Sequence, residues 1–307
     1  MKRLTIFTPA YNRAYTLPRL YESLVQQTFQ DFEWLIVDDG STDNTKDLVD
    51  GWMREGRVYI RYFYRSNTGK MQATNFAAQQ SSAELFVCID SDDRLVNENV
   101  LKDSIDFWDK RSEFLRKQNE THELCGMISR RLNPSIVPIE DPGLPCVGTA
   151  YEIACGKGET TIFTRTEILR QYPYPKFEGE TFITDCYIHD AMSYKYRFLY
   201  HPYYSQLVEY QRDGYTKNYR KILLANPRGH REFHAQCIRL HKSGWIKSVI
   251  CYVSLSLFVR DHTMFSASPN IFLTVLFYPL GCLKYLYDRY MLYKENIIKV
   301  SPDRNER

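Results

Sequence analysis

Residues Cys88 to Leu95 read CIDSDDRL, so that Asp90, Asp92 and Asp93 close the apolar run ELFVCID. Three like charges side by side repel one another, and the segment needs a positive partner. Asp90 and Asp92 flank Ser91, and in extended or turn backbone residues two apart can aim to the same side. A pair so placed can hold a divalent cation, or a cation and a sugar hydroxyl. Mg2+ and Mn2+ take a few hard oxygen ligands and complete their shells with substrate phosphates. The competing use is to cap a helix expected around Asn97 to Trp108, with the carboxylates solvated.

Asp38 and Asp39 form a second acidic pair, directly after WLIV (Trp34 to Val37). A carboxylate there can accept hydrogen bonds from a base imide or from ribose hydroxyls. It can equally cap the next helix, which Ser41 and Thr42 could do without it. Lys70 follows Gly69, yet this is not a phosphate loop, because Tyr64 stands at the first glycine position and Met71 at the Ser/Thr position. No GxGxxG follows the first strand either, which argues against a dinucleotide dehydrogenase. Candidates for a general base lie in EGETFITDCYIHD: Glu178, Glu180, Asp185, His189 and Asp190. Asp185 precedes a helical pattern through Ile188, Ala191 and Met192. A helix start can hold a carboxylate rigidly while its free oxygen faces a cleft; a plain cap is the other use of the same position.

The elements that must position these groups follow from periodicity. LTIFT (Leu4 to Thr8), WLIV, VYIRYFY and ELFVCI read as strands, the first stopped by Pro9. Between them, TLPRLYESLVQQTF, STDNTKDLVDGWM and TGKMQATNFAAQQ read as helices, the first capped by Thr16 with Pro18 in its first turn. Repeated strand-helix-strand units imply a mainly parallel sheet with right-handed crossovers. Ligands of such sheets bind beyond the carboxyl ends of the strands. TPAYN, DDGS, RSNTGK and DSDD all fall at such ends, so four polar loops are expected to converge on one edge. Beyond them, VLKDSIDFWDKRSEFLRKQNE reads as a helix, NPSIVPIEDPGLP as a loop and TTIFTRTEILRQYPYPKF as a strand followed by a helix.

The bulk properties narrow the classes. A chain of 307 residues with 44% hydrophobic and 25% charged residues is long enough for a large core. The net charge of +3 does not make a nucleic-acid field. None of the eight cysteines forms a Cys-x-x-Cys pair, which argues against a zinc site. MKRLTIFTPAYNR lacks the long apolar stretch of a signal peptide, and a reducing cytosol is the expected compartment.

TIFTPAYNRAYTLPRLYESLVQQTFQDFEWLIVDDGSTDNT, followed by NTGKMQATNFAAQQSSAELFVCIDSDD, closely resembles family 2 glycosyltransferases of the GT-A fold. The resemblance runs through roughly the first 95 residues and continues more weakly in GETFITD and VEYQRDGYT. It implies a GT-A type α/β fold: a mainly parallel twisted sheet flanked by helices, Rossmann-like in its nucleotide-binding half. Residues 1–240 would be the glycosyltransferase domain, with 1–95 binding the nucleotide sugar and 96–240 the acceptor, and 241–307 a helical extension. It further implies a nucleotide-diphospho-sugar donor, a UDP-sugar first among them, inversion at the anomeric carbon and a glycan or lipid-linked acceptor in bacterial surface polysaccharide synthesis.

By the same resemblance Thr8, Pro9, Tyr11, Arg13, Asp38 and Asp39 belong to the nucleotide pocket. Asn67, Gly69 and Lys70 lie near the donor, and Asp90-Ser91-Asp92 is the DXD segment, with Asp92 the direct ligand of Mn2+ or Mg2+. Asp185 aligns with the catalytic base. Thr184 stands where the family commonly has Glu, which keeps Glu180 as a rival. The loop around Pro134 to Pro145 is a candidate lid. Two other classes use related parts: a nucleotidyltransferase, whose Gly-rich segment after the first strand is missing from TPAYNRAYT, and a non-catalytic nucleotide-sugar-binding protein, which would have lost the acidic groups present here.

The tail carries two apolar stretches, IKSVICYVSLSLFV and NIFLTVLFYPLGCLKYLYDRY, the second interrupted by Pro279 and Lys284. Each falls short of the ~20 residues that span a bilayer. Lys242, Lys247, Arg260, Lys284, Arg289 and Lys294 flank them, a pattern that suits a membrane interface; packing on the catalytic domain or a partner subunit is the alternative. The first would place the protein in the cytoplasm, peripheral on the inner face of the membrane, and the second allows an oligomer.

Overall fold

The computed structural model describes residues 2–118, 122–133, 146–154, 159–209, 215–242 and 244–294. Two compact units emerge. One comprises Met1–Tyr174 with Ile188–Gly214, the other Pro175–Tyr187 with Tyr215–Arg307. Residues 1–240 contribute to both units.

The first unit is built in chain order from β1 (Leu4–Ala10), α1 (Leu17–Val25), β2 (Phe32–Asp38), α2 (Thr45–Glu55), β3 (Ile60–Tyr64), α3 (Lys70–Gln80), β4 (Leu85–Cys88), β5 (Arg94–Leu95), α4 (Val100–Lys117) and β6 (Leu124–Leu132). It continues with β7 (Val147–Gly148), α5 (Ala150–Ala154), β8 (Thr160–Arg165), α6 (Thr166–Leu169), α7 (Cys186–Met192), inside which the division falls, and β9 (Arg197–Leu207). The strands form one sheet in the order β3-β2-β1-β4-β8-β6-β9-β5, with β7 paired to β9.

β1 runs parallel to β2 and β4, and β2 parallel to β3. Their carboxyl ends therefore share one edge, as the strand-helix alternation requires. Beyond β4 the sheet turns mixed: β8 is antiparallel to β4 and β6, while β6 is parallel to β9. The expected parallel pairing therefore holds throughout the first four strands and recurs between β6 and β9, with antiparallel pairs between.

All seven residues of β2 are buried, as expected for a strand covered on both faces. α1 contributes Leu17, Leu20, Tyr21 and Leu24 to the core. The Tyr21 ring stacks on Trp52 of α2 at 4.3 Å, and Trp34 of β2 lies 5.7 Å from the same indole. Trp34 Nε1 donates to Thr8 Oγ1 at 2.9 Å, which satisfies a buried donor inside this aromatic cluster.

Two local expectations are corrected. β1 continues through Pro9, which sits opposite Val37. Phe7 carbonyl oxygen faces β4 and accepts from Ile89 N, so the N–H that Pro9 lacks would point the same way, where β4 has already ended. Thr16 occupies the N-cap position of α1 but makes no side-chain cap; its hydroxyl donates to Arg13 carbonyl oxygen instead.

The second unit adds α8 (Tyr215–Ala225), α9 (Pro227–Arg239), α10 (Trp245–Phe258), α11 (Ile271–Leu276) and α12 (Tyr278–Lys294). Its core gathers Ala235, Ile238, Val249, Tyr252, Val253 and Met264. α10, the first apolar stretch of the tail, is enclosed by α9 and α12. α12 approaches so closely at Gly281 that a Cβ there would lie 2.3 Å from Val253 Cγ1. His230 and His234, one helical turn apart on α9, bring their Nε2 atoms to 3.0 Å. Lys284 pairs with the buried Asp288 at 2.7 Å. Among the described residues no helix is long and apolar enough to cross a membrane.

Candidate active site

The four strand-end loops of the first unit are bound to one another by hydrogen bonds and ion pairs. The loop after β1 is held to the loop after β2 by Asn12, which adopts a left-handed φ of 53°. Its backbone N donates to Ser41 Oγ at 2.8 Å, and its Oδ1 accepts from Thr42 N at 2.8 Å and Asp43 N at 3.3 Å. Arg13 N donates to Thr45 Oγ1 at 3.2 Å, and Ala14 N to Asp43 Oδ2 at 3.1 Å.

Asp38 and Asp39 carry the next link. Asp38 Oδ1 accepts from Ser41 N at 2.7 Å and Oδ2 from the Tyr62 hydroxyl at 2.5 Å. Burial and the Asp38 charge together raise the Tyr62 pKa, so the phenol remains a donor. Asp39 Oδ1 accepts from Thr68 N at 2.9 Å and Oδ2 from Gly69 N at 2.7 Å. It thereby fixes the start of α3, where Gly69 takes a φ of 87° that a side chain would resist. Asp43, rather than Ser41 or Thr42, holds the first turn of α2, accepting from Thr45 N and Thr45 Oγ1.

The last link answers the charge problem of CIDSDDRL. Lys70, the first residue of α3, places Nζ 2.7 Å from Asp90 Oδ1. Arg131, near the end of β6, lies 3.4 Å from Asp93 Oδ2 and 3.6 Å from Asp90 Oδ2. Burial alone would raise the Asp90 pKa, but the two cations pull it down to about 2. Burial would lower that of Arg131, and its two carboxylate neighbours raise it instead. Asp93 is nearly inaccessible, and burial outweighs Arg131, lifting its pKa to about 7. The role of helix cap is excluded for all three, because β5 intervenes and α4 begins only at Val100.

Asp92 differs from its neighbours. It is half-buried and makes no ion pair among the described residues. Burial and the Asp90 charge raise its pKa, a condition that a bound cation would relieve. Among the described residues no group of three or more His, Cys, Asp or Glu side chains could hold a metal. An ion here would rest on Asp92, with Asp90 beside it, and on oxygens of a substrate; that donor set fits Mg2+ or Mn2+.

The other expected residues separate by exposure. Tyr11 and Asn67 are exposed, Pro9, Arg13 and Lys70 half-buried, and Ser91 and Gly69 buried. Thr8 and Asp38 are fully buried, so their side chains support the edge from beneath. Asp185 belongs to the second unit, where it is exposed immediately before α7. Glu180 is in the same unit, and its Oε1 and Oε2 accept from Arg228 N and Gly229 N, each at 2.8 Å, which makes it the cap of α9. The Pro134 to Pro145 loop and residues 210–214 of VEYQRDGYT lie outside the described residues. Sequence reading missed Asn12 and Arg131. The ISRRLN segment signals two basic residues but not which carboxylates they meet.

The family described as glycosyl transferase family 2 matches residues 5–114. The glycosyltransferase GlyG of Streptococcus pneumoniae is 33% identical over 100 residues, which is 32% of this chain and 33% of the relative. The poly(ribitol-phosphate) beta-N-acetylglucosaminyltransferase TarS of Staphylococcus aureus is 30% identical over 112 residues, 36% of this chain and 19% of TarS. The matched segment thus spans a third or less of these curated relatives. The crystal structure of S. aureus TarS 1-349 in complex with UDP-GlcNAc superposes with a TM-score of 0.57 at 14% identity, covering 96% of this chain and 92% of that one. A mannosyltransferase from Pyrobaculum calidifontis in complex with GDP-Man and Mn2+ superposes with a TM-score of 0.56 at 16% identity, covering 94% and 88%. These likenesses establish the α/β fold of GT-A type, and residues 5–114 are similar in sequence to glycosyl transferase family 2.

Proposed function

We propose that the chain is an inverting glycosyltransferase that moves a sugar from a nucleotide diphosphate, UDP first among them, to a glycan or lipid-linked acceptor of a surface polymer. The observation that carries this reading is the cross-linked strand edge, in which Asp92 makes no ion pair among the described residues and stands beside Asp90 and Lys70. The UDP-GlcNAc bound to TarS and the poly(ribitol-phosphate) in that relative's name support the choice of donor and of a polymer acceptor.

A divalent cation on Asp92, with Asp90 beside it, would supply Lewis-acid neutralisation of the departing diphosphate. Lys70 and the N-terminal end of α3 add positive potential at the same edge. Tyr11 and Asn67 are the exposed groups positioned to meet a nucleotide, while Asp38 and Asp39 hold the loops that carry them. Asp185 would deprotonate the acceptor hydroxyl as it attacks opposite the leaving group. Glu180 is the weaker base, since both of its oxygens already accept from the backbone of α9.

The test is release of nucleoside diphosphate across a panel of UDP- and GDP-sugars with Mn2+ or Mg2+, followed by the anomeric configuration of the product. Turnover with a UDP-sugar and an inverted product is expected. No release with any donor and acceptor extract, or retention of configuration, would refute the reading.

A further inference from the structure

The two apolar stretches of the tail have different surroundings. α10 is enclosed by its neighbours, with eight of its residues buried. α11 and α12 pack on it with one side only. Across residues 271–294 every exposed side chain is apolar or aromatic except Arg289 and Lys294. Phe272 is 72% exposed, Leu283 63% and Tyr293 61%.

On α12, Leu283, Leu286, Tyr290 and Tyr293 recur at three- and four-residue spacing, which puts them on one face. Gly281, Asp288 and Leu292 occupy the opposite, buried face. Lys284 is turned to that side by its bond to Asp288, so it is not one of the surface cations that the sequence pattern offers. An ordinary surface helix shows water its polar side. This pair shows it an apolar stripe with two cations and no exposed carboxylate, far beyond the scattered apolar residues of normal surfaces.

We propose that the α11–α12 face docks on a phospholipid surface bearing anionic head groups. The helices lie in the plane of the interface, Phe272 and the leucines enter the acyl boundary, and the tyrosines sit at head-group depth. Arg289 and Lys294 meet the lipid phosphates. A second copy of the chain is the other occupant to weigh. A two-fold interface pairs a patch with itself, which would set these cations against the same cations with no exposed carboxylate among the described residues of the face to answer them. The inference is independent of the donor chemistry, since lipid binding is read without turnover.

The experiment is flotation of the full chain with phosphatidylcholine vesicles and with vesicles containing phosphatidylglycerol, beside sedimentation of the free protein. Flotation with the anionic vesicles is expected, and Leu283→Glu/Leu286→Glu should weaken it by at least about tenfold while its melting curve is unchanged. Arg289→Glu/Lys294→Glu should remove the preference for anionic lipid. If the leucine variant proves unstable, Tyr290→Ser with Tyr293→Ser gives the same reading through exposed hydroxyl-bearing rings. The proposal is overturned if the wild type stays with the unbound fraction, if the substituted chains float as well as it does, or if sedimentation shows a dimer that the leucine substitutions split.

Discussion

The strand edge of the first unit and the helical second unit both bury ionisable groups, and they handle them in opposite ways. At the edge, carboxylates are matched to cations and backbone donors from distant loops: Asp39 to Gly69, Asp90 to Lys70, Asp93 to Arg131. In the helical unit His230 and His234 stay neutral. Burial, then the Lys284 charge, lowers the His230 pKa to about 4, and burial with His230 itself lowers that of His234 to about 3. A network of paired charges pre-sets the geometry of a polar site. A buried neutral pair keeps a helix interface dry and leaves polarity off the surface as well. The contrast fits a division between chemistry and docking, and it can be broken at several points.

The largest effect should come from Asp92→Ala. It removes the carboxylate that has no ion pair among the described residues and should cost about a thousandfold or more in turnover, with little change in thermal stability. Steady-state kinetics and a melting curve read both. Asp185→Asn should lower kcat by about a hundredfold with donor affinity nearly unchanged. Glu180→Gln should instead lower stability by about 1 kcal/mol through the α9 cap, with kcat less affected. If Glu180→Gln shows the kinetic loss and Asp185→Asn does not, the base is misassigned.

Arg131→Met leaves the buried Asp93 and the half-buried Asp90 without their shared guanidinium. Denaturant unfolding should show a loss of about 3–5 kcal/mol, the scale for breaking a buried ion pair. A loss under 1 kcal/mol would mean that the cluster is less coupled than its geometry implies.

The smallest effects are in pH dependence, and their signs are opposite. The folded-state pKa of Asp93, about 7, lies above its unfolded value near 4. Its contribution is therefore complete below about pH 4 and is lost as pH rises toward 7. Asp93→Asn should flatten that slope, by a few degrees in melting temperature. The histidines have folded values below the unfolded one near 6.5, so their contribution is complete above that pH and is lost as pH falls toward 4. Hydrogen exchange at pH 5 and pH 8 should therefore loosen α9 and α12 at the lower pH first. Loosening of those helices at pH 8 instead would refute the account of the histidine pair.

The first hundred residues were legible because local pattern and tertiary role agree there. WLIV and ELFVCI are apolar runs that become central strands, and the polar residues that end them fall on one edge. β9 was not legible, since RFLYHPYYSQL contains His201 and Pro202, and its pairing with β6 is irregular at that point. Arg131 was missed because its partners lie 38 and 41 residues earlier in the chain. The acidic pair at Asp38 and Asp39 lies at the end of β2, as the pattern implies, but its bonds to Tyr62, Thr68 and Gly69 depend on how β3 and α3 meet it. In the tail, composition marked both apolar stretches alike, and only packing separates the buried α10 from the exposed face of α12.

The most direct test of the account is calorimetric titration of UDP and a UDP-sugar into the wild type and Asp92→Ala, with Mn2+ and with excess chelator. The expected result is donor binding by the wild type that weakens at least about tenfold on chelation, and binding by the variant that is weak and insensitive to metal. Equal binding and turnover by both proteins in excess chelator would contradict the metal-assisted site at the strand edge.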